Sequence, residues 1–154
     1  MSSSMAAAVA VLIAALVLAY VIGRVLTRRS GRVRQTGPGS AVGAETDAVA
    51  QAEAERNLTD LGLSRTGPTI LHFSAEWCGP CAGVRRVVDQ VCAELPAVAH
   101  VEIDMDANPQ AARRLSVLSL PTTFIFDARG HQRYRTSGVP RAADLRTAVE
   151  PLLA

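Results

Sequence analysis

Cys78 and Cys81 are the residues best suited to covalent chemistry in this chain; Gly79 and Pro80 separate them and Trp77 precedes them. Cysteines at positions i and i+3 at the start of a helix are neighbours, so their sulfurs can join without moving the backbone. A cysteine at a helix N-terminus meets unpaired N–H groups and the positive end of the helix dipole, and both favour a thiolate. A thiolate attacks a target disulfide, forms a mixed disulfide, and is released when a second cysteine attacks in turn. The order assigns Cys78 as nucleophile and Cys81 as resolving thiol. Zinc binding is the rival use of such a pair, but zinc takes four ligands and the sequence has neither a second CxxC nor an HxxxH. No metal is therefore expected. The third cysteine, Cys92, lies 11 positions after Cys81, about 16 Å further along the same helix. Disulfide Cα atoms must approach within about 7 Å, so Cys92 reads as a buried free cysteine.

The elements that must position this pair are legible on either side of it. Thr69 to Phe73, opened by Gly67-Pro68, is a short apolar run that suits a buried strand. From Cys81 the pattern changes to helical spacing, with Val84, Val87, Val88, Val91 and Leu95 apolar, until Pro96 stops it. Val98 to Ile103 alternates as a strand. Asn108 and Pro109 then form a helix start, as cap and first-turn residue of a short helix over Ala111 to Leu115. Thr122 to Phe126 and Gln132 to Thr136 flank a turn at Asp127–Gly130 and predict a hairpin, and Ala142 to Leu153 is a closing amphipathic helix frayed by Pro151. Upstream, Glu45 to Leu61 suits another helix, anchored by Leu58, Leu61 and Leu63. The expected class is α/β, a mixed sheet flanked by helices.

Ala75-Glu76-Trp77-Cys78-Gly79-Pro80-Cys81 resembles the active-site motif of the thioredoxin family without a mismatch. Asp104 to Pro109 matches that family's next strand-to-helix junction, Leu120-Pro121-Thr122 its loop with a cis proline facing the disulfide, and Gly138 a later glycine of the substrate groove. The resemblance covers roughly two-thirds of the chain, although no segment before residue 60 reads as the family's usual first strand. It implies a thioredoxin fold over residues 45–154, with Trp77, Gly79 and Pro80 shaping the redox motif. It also implies that Leu120, Pro121 and Gly138 line the groove where a bound peptide pairs in strand fashion. Pro80 is associated with reducing members. Two positions depart from the pattern. His72 stands where the family carries a buried aspartate, and Glu102 where it carries a lysine, so acid and base are exchanged. His72 is read either as a proton relay for Cys81 or as a packed strand histidine. His100 and His131 show no partner pattern and read as surface residues.

Composition bounds the remaining possibilities. Of the 154 residues 49 % are hydrophobic and 19 % charged, which excludes a disordered polar chain, and three cysteines are too few for a disulfide-stapled scaffold. All 16 basic residues are arginine, so lysine nucleophiles and a phosphate-binding P-loop lysine are excluded. The net charge of +2 is a sum of unlike parts. Arg24, Arg28, Arg29, Arg32 and Arg34 precede the first acid, Glu45, whereas from residue 35 onward 11 arginines face 14 acids. That interleaved, slightly acidic remainder argues against nucleic acid as a partner, and Arg113, Arg114, Arg133 and Arg135 read as a solvated face.

The arginine cluster follows residues 5–22, which carry no charge; extended through residue 26 they would form about 33 Å of helix, against a hydrocarbon core of about 30 Å. A cleaved signal would have a basic start, and residues 1–4 have no charged side chain. The expected organisation is a tail over 1–4, a transmembrane helix over 5–26, a basic collar and flexible linker over 27–44, and a thioredoxin domain over 45–154. Positive residues beside a span tend to stay inside, which predicts a single-pass membrane protein with a cytoplasmic domain. Anchored members of the family occur in high-GC bacteria, and the all-arginine basic set agrees with that coding bias. The expected function is membrane-anchored thiol–disulfide exchange on a disulfide-containing, membrane-proximal protein. The domain would use no cofactor of its own and would be re-reduced by an upstream reductase or dithiol carrier. An extracytoplasmic reductase for cytochrome or envelope-protein maturation, and a docking module without redox work, are the alternatives.

Overall fold

The computed structural model describes residues 11–22, 24, 33–35 and 44–154, and the chain divides into two units, Met1–Ser30 and Gly31–Ala154. In the first unit residues 11–22 form a helix, α1, whose side chains are exposed. Among the described residues no helix is long and apolar enough to cross a membrane. Residues 5–10, 23, 25 and 26 of the expected span lie outside the described residues, as do the tail over 1–4 and, in the collar and linker, 27–32 and 36–43.

The second unit is a five-stranded sheet with helices on both faces. Its elements are β1 (Arg34–Gln35), α2 (Ala44–Asp60), β2 (Thr69–Ser74), α3 (Cys81–Glu94), β3 (Ala99–Asp104), α4 (Pro109–Arg114), β4 (Thr122–Phe126), β5 (Gln132–Ser137) and α5 (Ala142–Val149), followed by a 3-10 turn, Glu150–Leu152. Strand order is β1-β5-β4-β2-β3. β2 runs parallel to β3 and antiparallel to β4, and β5 runs antiparallel to both β4 and β1. The short β1 falls where the sequence suggested collar and linker, and it extends the hairpin edge of the sheet. It was not legible because two residues carry no alternation to read. The closing helix is shorter than its amphipathic pattern suggested, since Pro151 turns the last residues into the 3-10 form.

β2 is buried along its whole length, as expected for a central strand covered on both faces. Leu71 and Phe73 point to one face, where they pack with Phe124, Phe126, Leu58, Leu61, Ala112 and Leu115. Ile70 points to the other, with Val84, Val88 and Val91 of α3, Ile125, and Leu145 and Val149 of α5. α2 is locked to the β4–β5 turn by Asn57, whose Nδ2 donates to the Gly130 carbonyl at 3.1 Å. Gly130 has φ +85°, and a Cβ there would lie 2.2 Å from the Ala54 carbonyl oxygen, so the turn accepts only glycine. Arg114 bonds Asp60 at 2.7 Å, and Arg135 donates to the carbonyls of Leu115 and Ser116 while lying over the Phe124 ring. These two arginines hold elements together, where the sequence suggested only a solvated face.

Strand register gathers the loops that matter at one edge. Ser74 is level with Asp104, Phe73 with Thr122, and Thr122 with Ser137. The segment after β2, the segment after β3, the loop before β4 and the segment after β5 therefore meet there. This is the carboxyl end of the parallel pair, where α/β sheets place their sites.

Candidate redox site

The chain leaves β2 at Ser74 and turns so that the Cys78 amide donates to the Ala75 carbonyl at 3.0 Å and the Cys81 amide to the Cys78 carbonyl at 3.1 Å. α3 then begins at Cys81, with Pro80 at the N-cap position. Proline suits this point because its missing N–H would have had no partner inside the helix. Cys78 and Cys81 are joined as a disulfide with Cα atoms 5.5 Å apart. Cys78 is 8 % exposed and Cys81 2 %, an order that suits an attacking outer sulfur and a sheltered resolving one. Gly79 and Pro80 are exposed, and a Cβ built on Gly79 would meet nothing within 4 Å among the described residues, so the turn between the cysteines faces open space.

Leu120 packs against Ala75, Cys78 and Cys81, and the Leu120–Pro121 peptide bond is cis. The Gly138 amide donates to the Pro121 carbonyl at 2.9 Å, and its φ of +82° explains a glycine there. Trp77 is 66 % exposed, with its indole N–H donating to Asp106 Oδ2 at 2.9 Å. Asp104 in turn accepts from the amides of Asp106 and Ala107 at 2.8 and 3.1 Å, fixing the loop that carries Asp106. Asn108 occupies the cap position of α4, but its side chain donates back to the Asp104 carbonyl and caps nothing.

Beneath the first turns of α3 lies a polar cluster. His72 is fully buried on the strand face it shares with Ile70. Its Nδ1 is 3.1 Å from His100 Nε2, and His100 Nδ1 is 2.9 Å from Asp89 Oδ1. Its Nε2 has no hydrogen-bond partner among the described residues; Glu102 Oε1 is 3.6 Å away. Arg85 grips Glu102 through two nitrogens, at 2.8 and 2.5 Å. Arg85, with help from a Ser74 side-chain hydrogen bond, draws the Glu102 carboxyl down to about 2. Burial pushes the His72 imidazole down to about 4 against the opposing pull of Glu102. Near neutrality His72 is therefore uncharged, and its approach to Glu102 is no ion pair.

The structure thus brings Trp77, Cys78, Gly79, Pro80, Cys81, Leu120, Pro121 and Gly138 to one edge and sets His72 and Glu102 side by side in adjacent strands. The surface reading is corrected for His100, while His131 stays partly exposed. His100 is half-buried and bonded on both ring nitrogens, and His131 lies 3.5 Å from Asp127. Cys92 is half-buried rather than buried, with its thiol pushed up by burial and then by the charge of Asp89. Asp106, Asp89 and His100 are the neighbours that sequence reasoning missed. Within single elements Asp89 and His100 had a trace, since Cys81, Arg85 and Asp89 recur every fourth residue on α3 and His100 and Glu102 alternate on β3; which residues they meet, and the place of Asp106, had none.

A disulfide at a helix N-terminus, beside a cis proline and under an exposed tryptophan, defines a thiol–disulfide exchange site. The thioredoxin family model matches residues 48–151, and the chain belongs to that family. It is 37 % identical over 78 residues to a thioredoxin of Chlamydia trachomatis, covering 51 % of this chain and 74 % of that one. A thioredoxin of Mycolicibacterium smegmatis is 40 % identical over 67 residues, 42 % of this chain and 60 % of the relative. Among solved structures, a mutant thioredoxin from Halobacterium salinarum superposes with a TM-score of 0.55 at 31 % identity, over 63 % of this chain and 83 % of that one. The protein is a thioredoxin-like thiol–disulfide oxidoreductase.

Proposed function

We propose that this protein is a membrane-anchored protein disulfide reductase. The observation that carries the reductase half is the sheltered Cys78–Cys81 pair opening α3 beside Pro121, with open space above Gly79. In the reduced protein Cys78 attacks a substrate disulfide, and one substrate sulfur leaves as a thiolate. Cys81 then attacks the Cys78 sulfur of the mixed disulfide, the second substrate sulfur leaves, and the pair ends oxidised. Trp77, Leu120, Pro121 and Gly138 frame the groove, where the backbone before Pro121 pairs with an extended substrate. His72 receives the proton that Cys81 must lose, and Glu102, held by Arg85, keeps a fixed negative charge beside it.

The anchoring half rests on the uncharged run over 5–22 and the arginines that follow it. These support a single span with the redox domain on the cytoplasmic side, acting on membrane-proximal disulfide proteins and re-reduced by an upstream reductase or dithiol carrier. An anchor raises the local concentration of such targets without a large interface. Cys81→Ser in cells should hold the substrate on Cys78 as a mixed disulfide, and capture of no protein would remove the protein-substrate reading. An impermeant thiol reagent on intact cells should leave Cys78 unlabelled. Labelling would move the domain outside, to the envelope-maturation alternative, and a cellular role untouched by Cys78→Ser would favour a docking module.

A further inference from the structure

The polar cluster under α3 runs from a buried ring, through a half-buried one, to an exposed carboxylate. The Asp89 carboxylate is exposed and accepts only, so the proton between it and His100 belongs to His100 Nδ1. In the arrangement where His100 carries that one ring proton, its Nε2 accepts and the 3.1 Å bond is donated by His72 Nδ1. His72 Nε2 is then left with a free lone pair inside the protein, facing another acceptor, Glu102 Oε1, at 3.6 Å. Glu102 and His100 face the ring from β3, Arg85 and Asp89 act on it from α3, and Thr123 is its register neighbour on β4. Cys81 begins the same helix one turn before Arg85.

We infer that His100 and Asp89 are the solvent-side limb of a proton path whose inner end is Nε2 of His72 and whose cargo is the proton that Cys81 loses and regains. This rests on His72 being the relay for Cys81. As Cys81 attacks the mixed disulfide, its S–H proton passes to His72 Nε2, the Nδ1 proton of His72 to His100 Nε2, and the Nδ1 proton of His100 to Asp89 and water. One proton enters at the sulfur and one leaves at the carboxylate. The new Cys78–Cys81 bond forms as the bond from Cys78 to substrate breaks, and the departing substrate thiolate takes its proton from solvent. His72 ends the passage with a single ring proton, as it began, which avoids the buried imidazolium that burial makes costly. Both tautomers are inverted by the passage. When a reducing dithiol later frees Cys81 as a thiolate, the protons return by the same bonds and restore the starting tautomers. His100 and Asp89 are positioning residues on this path, acting through His72.

The test uses the full chain carrying Cys92→Ala, with thionitrobenzoate attached to Cys78 and its release by Cys81 followed from pH 5 to 9. Nitrogen NMR of the His72 ring is recorded alongside. The parent should show His72 protonated on Nδ1. His100→Phe removes that acceptor, so the proton should move to Nε2 and donate to Glu102. Release should then fall about tenfold or more near pH 7 and recover as hydroxide takes over at high pH. His100→Gln should keep the Nδ1 tautomer, since its carbonyl accepts from His72 and its amide donates to Asp89, yet release should still slow because an amide does not hand protons on. Release with the parent's pH profile in both His100 variants would overturn the path, as would a parent already protonated on Nε2. A profile that shifts in His72→Gln but in neither His100 variant would remove the limb and keep the relay. A profile unchanged in His72→Gln would remove the relay itself.

Discussion

On the α2 and α4 side of the sheet, Leu71, Phe73, Phe124 and Phe126 form a continuous apolar layer, with Phe73 edge-on to Phe124 at 6.0 Å between ring centres. On the α3 and α5 side the same strands alternate Ile70 and Ile125 with buried polar groups. One row crosses the sheet in register from Glu102 through His72 and Thr123 to Thr136. Three atoms of that row, His72 Nε2, Thr123 Oγ1 and Thr136 Oγ1, are buried without a hydrogen-bond partner among the described residues. Unpartnered buried polar atoms cost about 1–3 kcal/mol each; the α2 side carries one, Asn57 Oδ1, so the larger stability penalty falls on the α3 side. Two faces of one sheet can therefore be tuned separately, because alternation sends neighbouring residues of a strand to opposite sides.

Substitutions can break or sharpen that contrast. The largest effect on activity is expected from Cys78→Ser, which should remove disulfide exchange altogether and change the stability of the reduced protein by less than about 1 kcal/mol; turnover of a model disulfide and urea unfolding check it. On the aromatic face, Phe124→Ala should cost about 3–5 kcal/mol in urea unfolding and leave the pH profile of exchange in place. On the polar face the expected signature is pH dependence. The unfolded chain protonates His72 around 6.5, while the folded chain holds the proton off until about 4. Stability should drain away as pH falls through that window, by up to about 3 kcal/mol. His72→Leu should flatten this slope between pH 6.5 and 4. The depressed Glu102 carboxyl, at about 2, acts in the same direction lower down, losing its contribution as pH falls from about 4.5 to 2. The smallest effect is expected from Thr123→Val, which replaces an unpartnered hydroxyl with a methyl group and should raise stability by about 0.5–1 kcal/mol.

The parts legible in the sequence were those whose signal is local. Val84, Val88 and Val91 announce α3 by spacing, Gly67-Pro68 opens β2, and the Cys78–Cys81 motif announces its chemistry by position. Partnerships across the sheet were not legible. His100 pairs with a residue 28 positions earlier, and Trp77 with Asp106, 29 positions later, and neither spacing has a periodic trace. The hydroxyls of Thr123 and Thr136 read as ordinary strand residues, since threonine is favoured on strands whichever face it meets. The side-chain cap expected of Asn108 failed because Asp104 offers its carbonyl one turn earlier.

The bond from Trp77 to Asp106 has an optical consequence. The chain contains a single tryptophan, and it adjoins the redox pair, so indole emission, excited at wavelengths that the two tyrosines do not absorb, reports one place only. A disulfide quenches a neighbouring indole, so the same molecule should glow dimly when oxidised and brightly when reduced. Its redox state can then be followed in real time without any added label.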